Sequence, residues 1–311
     1  MIFAISKLTL PFYVDFRSNN FPNDDGAVNI DNMHKLVKWQ PRARAMMGLP
    51  QELIDQLIDH LRQDRNTLKV CGLICKAWLA GSRRHLFHSI YLMDSHVDHF
   101  ILLTKLLSHC YCTFASSIQH IEIWGGDEDG SFHGWLDPLL PHLPKLVSVR
   151  SLFFMEAGHS NTSDLWRSLI QVQQFTQQIT DLTLSSPGFG TFKQYIESIC
   201  AFSSLVKLTY EDNGCVDVAM EDNPIFSRAP PKSLRVLDIT CSYGSVTQLN
   251  SGQLILHWLF QTRSVLNTIR LGEIHDVSAH TFSILGSYLR FLGSSLHVLE
   301  VSFINNNDIC K

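Results

Sequence analysis

Hydrophobic residues recur along this chain with two different periods. Between residues 49 and 78, Leu53, Ile54, Leu57, Ile58 and Leu61 fall at spacings of one, three, one and three, which gathers them on one stripe of a helix. Glu52, Asp55, Gln56 and Asp59 occupy the other side. Pro50 stands where a helix tolerates it, at the first position, where its missing N–H has no partner anyway. Residues 62–66 are a polar break, and Thr67 is a fair N-cap for a second helix. Leu68, Cys71, Leu73, Ile74, Cys75 and Trp78 then cover nearly the whole circumference of that helix, which predicts burial on more than one side. After the polar stretch Gly81-Ser82-Arg83-Arg84-His85 comes a third apolar set, Leu86, Phe87 and Ile90.

From residue 118 the period shortens to two. An apolar residue, two others, an apolar, one other and an apolar recur seven times, about 30 residues apart, at Ile118-Ile121-Ile123, Val149-Leu152-Phe154, Ile179-Leu182-Leu184, Leu205-Leu208-Tyr210, Leu234-Leu237-Ile239, Leu266-Ile269-Leu271 and Leu296-Leu299-Val301. Such alternation predicts a short strand in each unit. Between the strands, Leu165–Phe175, Phe192–Phe202, Leu254–Phe260 and Phe282–Phe291 carry apolar residues three or four apart and read as helices. The residues that alternate with the strand apolars face away from the core. They include Glu122, Trp124, Phe153, Met155, Asp181, Lys207, Glu211, Asp238, Arg270 and Glu300, with His120 and Ser151 among their neighbours. Trp, Phe and Met beside charges are common anchors of interfaces, so these ten form a candidate substrate face.

The first segment resembles the F-box. Leu49-Pro50, Glu52, Leu53-Ile54, Leu57-Ile58, Cys71-Gly72-Leu73-Ile74-Cys75-Lys76-Ala77-Trp78 and Leu86-Phe87 match that family's pattern in order and spacing over about residues 48–90. Gly72 departs from it, at about 0.5–1 kcal/mol relative to Ala in a helix. The resemblance implies a helical module that docks on the Skp adaptor of a Skp–cullin–F-box ubiquitin ligase. Leu49, Pro50, Leu53, Ile54, Leu57, Ile58, Leu73, Trp78 and Leu86 would be the adaptor-binding residues. A module of about 40 residues rarely closes its own core, which agrees with a partner covering it. The alternative is a helical cap on the downstream domain. The strand–helix units resemble a leucine-rich repeat stacked into a curved solenoid. Only Asn213 fits the Asn or Cys that this family places three residues after the last strand apolar, and a parallel sheet in a doubly wound domain is the alternative.

Composition narrows the function classes. The chain has 311 residues, 45% hydrophobic and 17% charged, with a net charge of −4. That balance argues against nucleic acid as the main partner. Eight scattered cysteines read as reduced thiols of the cytosol or nucleus. No apolar run reaches the roughly 18 residues of a membrane helix. Residues 15–47 are turn-rich or basic and read as a solvated, poorly ordered segment, with Met33, Met46 and Met47 as alternative starts and the basic cluster of Lys35, Lys38, Arg42 and Arg44 as an alternative targeting patch. The chain ends just after the seventh strand, which predicts either a minimal cap or a truncated product. No nucleophile elbow, phosphate-binding glycine loop or zinc motif occurs. Cys71 with Cys75, Asp127 to Asp129, and His109 with Cys110 and Cys112 are incomplete metal sets, more simply explained as packing or surface.

The expected architecture is therefore a poorly ordered segment at 1–47, an F-box helical module at 48–92 and a leucine-rich-repeat-like solenoid of about seven units at 93–311. The fold class is an α+β or α/β solenoid. The expected function is the substrate-recognition adaptor of a Skp–cullin–F-box ubiquitin ligase, in the ubiquitin-like conjugation pathway. Its partners would be the Skp adaptor, through it a cullin, and a protein substrate, with no nucleic acid or membrane. On this reading the chain is not an enzyme: it has no catalytic residues, metal or cofactor. The alternatives are a leucine-rich-repeat binding scaffold outside any ligase, and a hydrolase or metalloenzyme with an unrecognised site.

Overall fold

The computed structural model describes residues 49–93, 97–109, 112–125, 136–156, 162–185, 191–212, 228–241, 249–274 and 279–303. The expectations for residues 1–47, for Asp127 to Asp129, for Cys110 and for Asn213 lie outside these. The chain divides between Leu86 and Phe87 into two compact units.

In the first unit, α1 spans Gln51–His60, α2 Arg65–Ile74 and α3 Lys76–Leu86. Pro50 precedes α1 as its N-cap rather than occupying its first position. Asp64, not Thr67, caps α2: its carboxylate accepts from the Thr67 backbone N–H at 3.0 Å, which satisfies one of the helix's orphan donors. The expected second helix breaks at Cys75, whose backbone is extended, so Trp78 belongs to α3. Ile54 and Ile58 of α1, Leu68 and Cys71 of α2 and Trp78 of α3 form a small common core. Gly81 lets α3 lie close on α1, since a Cβ there would stand 2.9 Å from Ile58 Cδ1. Arg84 and His85 of α3 both reach Asp59 of α1, at 2.8 and 2.7 Å.

The second unit is an eight-stranded, all-parallel sheet: β1 Ser89–Met93, β2 His120–Gly125, β3 Ser151–Glu156, β4 Asp181–Ser185, β5 Lys207–Asp212, β6 Val236–Cys241, β7 Thr268–Ile274 and β8 Val298–Phe303. Strand order follows chain order. Between the strands lie α4 (Val97–Ser108), α5 (Thr162–Gln171), α6 (Gln173–Thr176), α7 (Phe192–Cys200), α8 (Leu249–Gln261) and α9 (Ala279–Leu292). Alternate strand residues are buried, for example Ile121, Ile123, Leu152, Phe154, Leu182, Leu184, Leu208 and Leu237. They share one core with Leu103, Trp166, Leu169, Ile199, Trp258 and Tyr288 from the helices. Among the described residues the helices therefore cover one face of the sheet and leave the other open.

One device sets the register throughout. At each strand entry two successive amides donate to a single carbonyl at the preceding entry. Gln119 and His120 bond His88 O, Arg150 and Ser151 bond Gln119 O, and Thr180 and Asp181 bond Arg150 O. The same pairing runs on through the carbonyls of Thr180, Val206, Arg235 and Asn267 to β8. Identical entries keep the strands in step, so residues of equal rank face each other across the sheet, up to a register shift after Leu271 in the β7–β8 pair.

The fold expectation is corrected on several points. Eight strands form, not seven: Ser89–Met93, expected to belong to the helical module, is the first of them. From β2 to β7 the repeated apolar signature marks a buried residue before each strand and two buried residues within it; at β8 Leu296 and Val301 are half-buried and Leu299 is exposed. Any parallel strand packed against helices from one side yields that signature, so it does not specify a leucine-rich repeat. The architecture is an all-parallel α/β sheet in place of the expected leucine-rich-repeat solenoid. α-Helices lie in five of its seven strand connections, and among the described residues none lies between β2 and β3 or between β5 and β6. Among the described residues the strand order is linear, with no ladder joining β8 to β1. Among the described residues the helices lie on one face only, unlike a doubly wound sheet, which carries them on both.

Candidate binding face of the parallel sheet

The open face is built by the odd-ranked residues of each strand, which the shared register places in three rows. The first row runs Ser89, His120, Ser151, Asp181, Lys207, Val236, Thr268, Val298. The second runs Tyr91, Glu122, Phe153, Thr183, Thr209, Asp238, Arg270, Glu300. The third runs Met93, Trp124, Met155, Ser185, Glu211, Thr240, Gly272. All ten residues expected on a substrate face stand in these rows, and none of the ten is fully buried. Tyr91 and Met93 were missed because β1 was not recognised. The signal was present in Ser89-Ile90-Tyr91-Leu92-Met93, whose apolar alternation matches that of the later strands.

Two networks organise this face. At the β2–β3 end, Glu122 Oε1 lies 2.9 Å from His120 Nε2, and Trp124 Nε1–H donates to Glu122 Oε2 at 3.3 Å. With Glu122 accepting, His120 carries its proton on Nε2, and Nδ1 accepts from the Ser151 hydroxyl at 2.8 Å. The Trp124 and Phe153 rings pack 5.6 Å apart. Toward β8, Lys207 Nζ lies 2.7 Å from Asp238 Oδ2, and Arg270 Nε bonds Glu300 Oε2 at 2.8 Å. Asp238 Oδ1 is enclosed without a hydrogen bond, so its 3.5 Å approach to Arg270 Nη1 is an ionic contact only. The Asp238 side chain is 13% exposed, and it holds both cations.

The line Ser151–His120–Glu122 has the residue types of a nucleophile, a base and an orienting acid. Among the described residues its setting does not provide the rest of an acyl-transfer site. The Ser151 amide bonds Gln119 O at 3.1 Å inside the strand entry, so the nearest backbone donor for a developing oxyanion is already committed. Among the described residues, no group of three or more His, Cys, Asp or Glu side chains is placed to hold a metal ion.

The residues expected to contact a Skp adaptor separate into two sets. Leu53, Leu57 and Pro50 are exposed on α1 and before it, and Leu73 on α2 is 81% exposed. Ile54, Ile58 and Trp78 are buried inside the helical unit, with Leu49 and Leu86 packed partly against them. Those three hold the unit's own core and are not available to a partner. Val70 and Ile74 of α2, which sequence reasoning did not select, join the exposed apolar set.

Comparison with known proteins overturns the family expectation. No family model matches the chain, for the F-box, for leucine-rich repeats or for any other family. No curated protein matches. A solved structure that does match is a sugar phosphate isomerase/epimerase from Parabacteroides distasonis ATCC 8503, with 10% identity and a TM-score of 0.22, covering 70% of this chain and 86% of that one. The F-box and leucine-rich-repeat assignment is therefore withdrawn. With it go the ubiquitin-ligase adaptor role, the Skp, cullin and protein-substrate partners, the conjugation-pathway placement and the repeat-scaffold alternative. The expectation that the chain is not an enzyme is withdrawn as well. No helix among the described residues is long and apolar enough to cross a membrane.

Proposed function

We propose that this protein is a ligand-binding protein whose recognition surface is the open face of its parallel sheet. One observation carries the reading: the side chains of that face are held in defined positions by their neighbours in register. The Lys207–Asp238–Arg270–Glu300 chain spans four strands, and the Ser151–His120–Glu122–Trp124 chain spans two. A face with fixed polar groups beside aromatic and thioether groups presents a preorganised surface, which lowers the ordering cost of binding. Cys71, Cys75, Cys112 and Cys200 are free thiols, which supports a reducing compartment, the cytoplasm or nucleus.

The reading is tested by ligand-induced thermal stabilisation of the full chain against libraries of metabolites and short peptides. A ligand at 100 times its Kd adds about 2.7 kcal/mol. For a unit of this size that is a rise of roughly 5–10 °C in Tm. Stabilisation should vanish in Phe153→Ser or Arg270→Glu and persist in Leu73→Ser on the helical unit. Ligands that stabilise all three variants equally would place binding elsewhere and refute the proposal. The same incubations, analysed by mass spectrometry, show whether a bound compound is turned over.

A further inference from the structure

Glu122 stands at the middle of a small grid. Tyr91 and Phe153 flank it across the sheet, and Trp124 follows it on the same face, flanked in turn by Met93 and Met155. Cross-strand neighbours lie about 4.8 Å apart, so Tyr91 and Phe153 stand beside Glu122, while Met93 and Met155 stand beside Trp124 and diagonal to Glu122 at about 7–8 Å. The Glu122 side chain is 18% exposed, and among the described residues neither a Lys nor an Arg pairs with it. It accepts a hydrogen bond at each oxygen, which leaves lone pairs at both.

Charge on the whole face points the same way. Its three rows hold five carboxylates, Glu122, Asp181, Glu211, Asp238 and Glu300, against two formal cations, Lys207 and Arg270. Both cations are paired with acids of the same face, toward its β8 side. Three aromatic rings and two thioethers are soft, polarisable groups, and ring faces attract positive charge. An anion in the midst of them adds direct Coulomb attraction in a partly desolvated place.

We infer that this patch, Tyr91, Glu122, Trp124 and Phe153 with Met93 and Met155, is a site for an organic cation, an alkylammonium or guanidinium group. The inference rests on the reading above and names the chemistry of the ligand at one end of the face. Trp124 and Phe153 supply ring surface, Glu122 the counter-charge, and the methionines adaptable walls. His120 and Ser151 act as positioning residues, because they hold the carboxylate through hydrogen bonds rather than touching the ligand.

The test uses the full chain labelled with 13C-methyl methionine, titrated with choline and with 3,3-dimethyl-1-butanol, which has choline's shape without its charge. Met93 and Met155 resonances, assigned by Met→Leu variants, report the site locally. Choline should shift both in a saturable way, and the neutral isostere should bind at least about tenfold more weakly. Glu122→Gln should weaken choline by about tenfold or more and leave the isostere unchanged. Tyr91→Leu, on the edge strand, gives a second loss should Glu122→Gln fold poorly by circular dichroism. Leu73→Ser, on the helical unit, should leave choline binding intact. An extended pentapeptide carrying trimethyllysine distinguishes a cation on a polypeptide from a free amine. Equal binding of choline and its isostere, or no saturable shift, overturns the inference. If choline fails while a library ligand is still lost on Arg270→Glu, the cation site falls and the binding face stands. If neither kind of ligand depends on this face, both fall.

Discussion

Phe153 and Phe154 are adjacent on β3 and identical in composition, and the sheet sends their side chains to opposite faces. Phe154 is fully buried, with its ring 4.9 Å from that of Trp166 on α5. Phe153 lies on the open face against Trp124. Burying an aromatic side chain removes on the order of 150–250 Å² from water, about 4–6 kcal/mol at 25 cal/mol per Å². Truncating Phe154 to Ala loses that transfer and leaves a cavity, for an expected cost of about 3–5 kcal/mol. Truncating Phe153 loses a ring contact of about 0.5–1.5 kcal/mol and part of a smaller burial.

For a unit of roughly this length, 1 kcal/mol moves Tm by about 2–4 °C. Phe154→Ala should therefore lower Tm by roughly 8–15 °C, and Phe153→Ala by roughly 2–5 °C. Thermal and urea unfolding followed by circular dichroism compare the two, and an unchanged urea dependence shows that the same surface opens in both. Equal losses would mean that the face carrying Phe153 is covered as thoroughly as the core. A larger loss for Phe153→Ala would mean that the register is shifted by one residue, because a one-residue slip exchanges the faces. Either result removes the open face, and the proposed function with it.

Three further outcomes follow from other sites. Cys200 is held among apolar neighbours, and burial pushes its thiol up to about 11. Its thiolate fraction at pH 8 is then roughly 100-fold below that of an ordinary thiol, so iodoacetamide should label it about 100-fold more slowly in the folded chain than in urea, as read by peptide mass spectrometry. On the open face, Asp238→Asn should cost about 1 kcal/mol in low salt, because it leaves Lys207 and Arg270 facing each other without the acid. In 1 M salt the cost should shrink, and a salt-independent cost would deny the ionic character of the pairing. In the helical unit, Asp59 is held below its ordinary range by hydrogen bonding from His85 and by the Arg84 charge, and Asp64 by its bonds from Thr67. Both have depressed folded values, so their contribution is complete above the unfolded Asp value of about 3.9 and fades as pH falls below it. Tm of the helical unit should stay level from pH 7 to about 5 and drop below about 4, and Asp59→Asn with Asp64→Asn should flatten that drop.

The periodicities were legible where burial is one-sided. A parallel strand covered from one side shows the same alternation as an antiparallel one, so the seven strands from Ile121 to Val301, and the residues facing away from the core, could be placed from apolar spacing alone. The family was not legible in that way. Spacing of this kind reports how side chains are buried, and unrelated α/β proteins bury them alike. The helical unit shows the limit from the other direction. Leu53 and Ile54 are neighbours on one apolar stripe, and sequence gives no means of telling that Ile54 enters the unit's core while Leu53 stays outside it. The break at Cys75 was hidden for a related reason. No Pro or Gly marks it, and the extended Cys75 backbone turns the chain so that Trp78 can return to Ile58 and Leu68.

The alternation also bears on why the face is open. Parallel sheets are ordinarily covered on both sides, and their strands then read as continuous apolar runs. Here β4 reads Asp181-Leu182-Thr183-Leu184, β6 Val236-Leu237-Asp238-Ile239 and β7 Thr268-Ile269-Arg270-Leu271. A second helical layer would bury Asp181, Lys207, Asp238 and Arg270, at several kcal/mol for each ion that lost its water. A layer of water avoids that cost, but it does not require cross-strand acids and bases in register or a carboxylate set among aromatic rings. The partly polar, partly aromatic face suits a covering that comes and goes and brings complementary charge with it, which is what a ligand does and a permanent layer cannot.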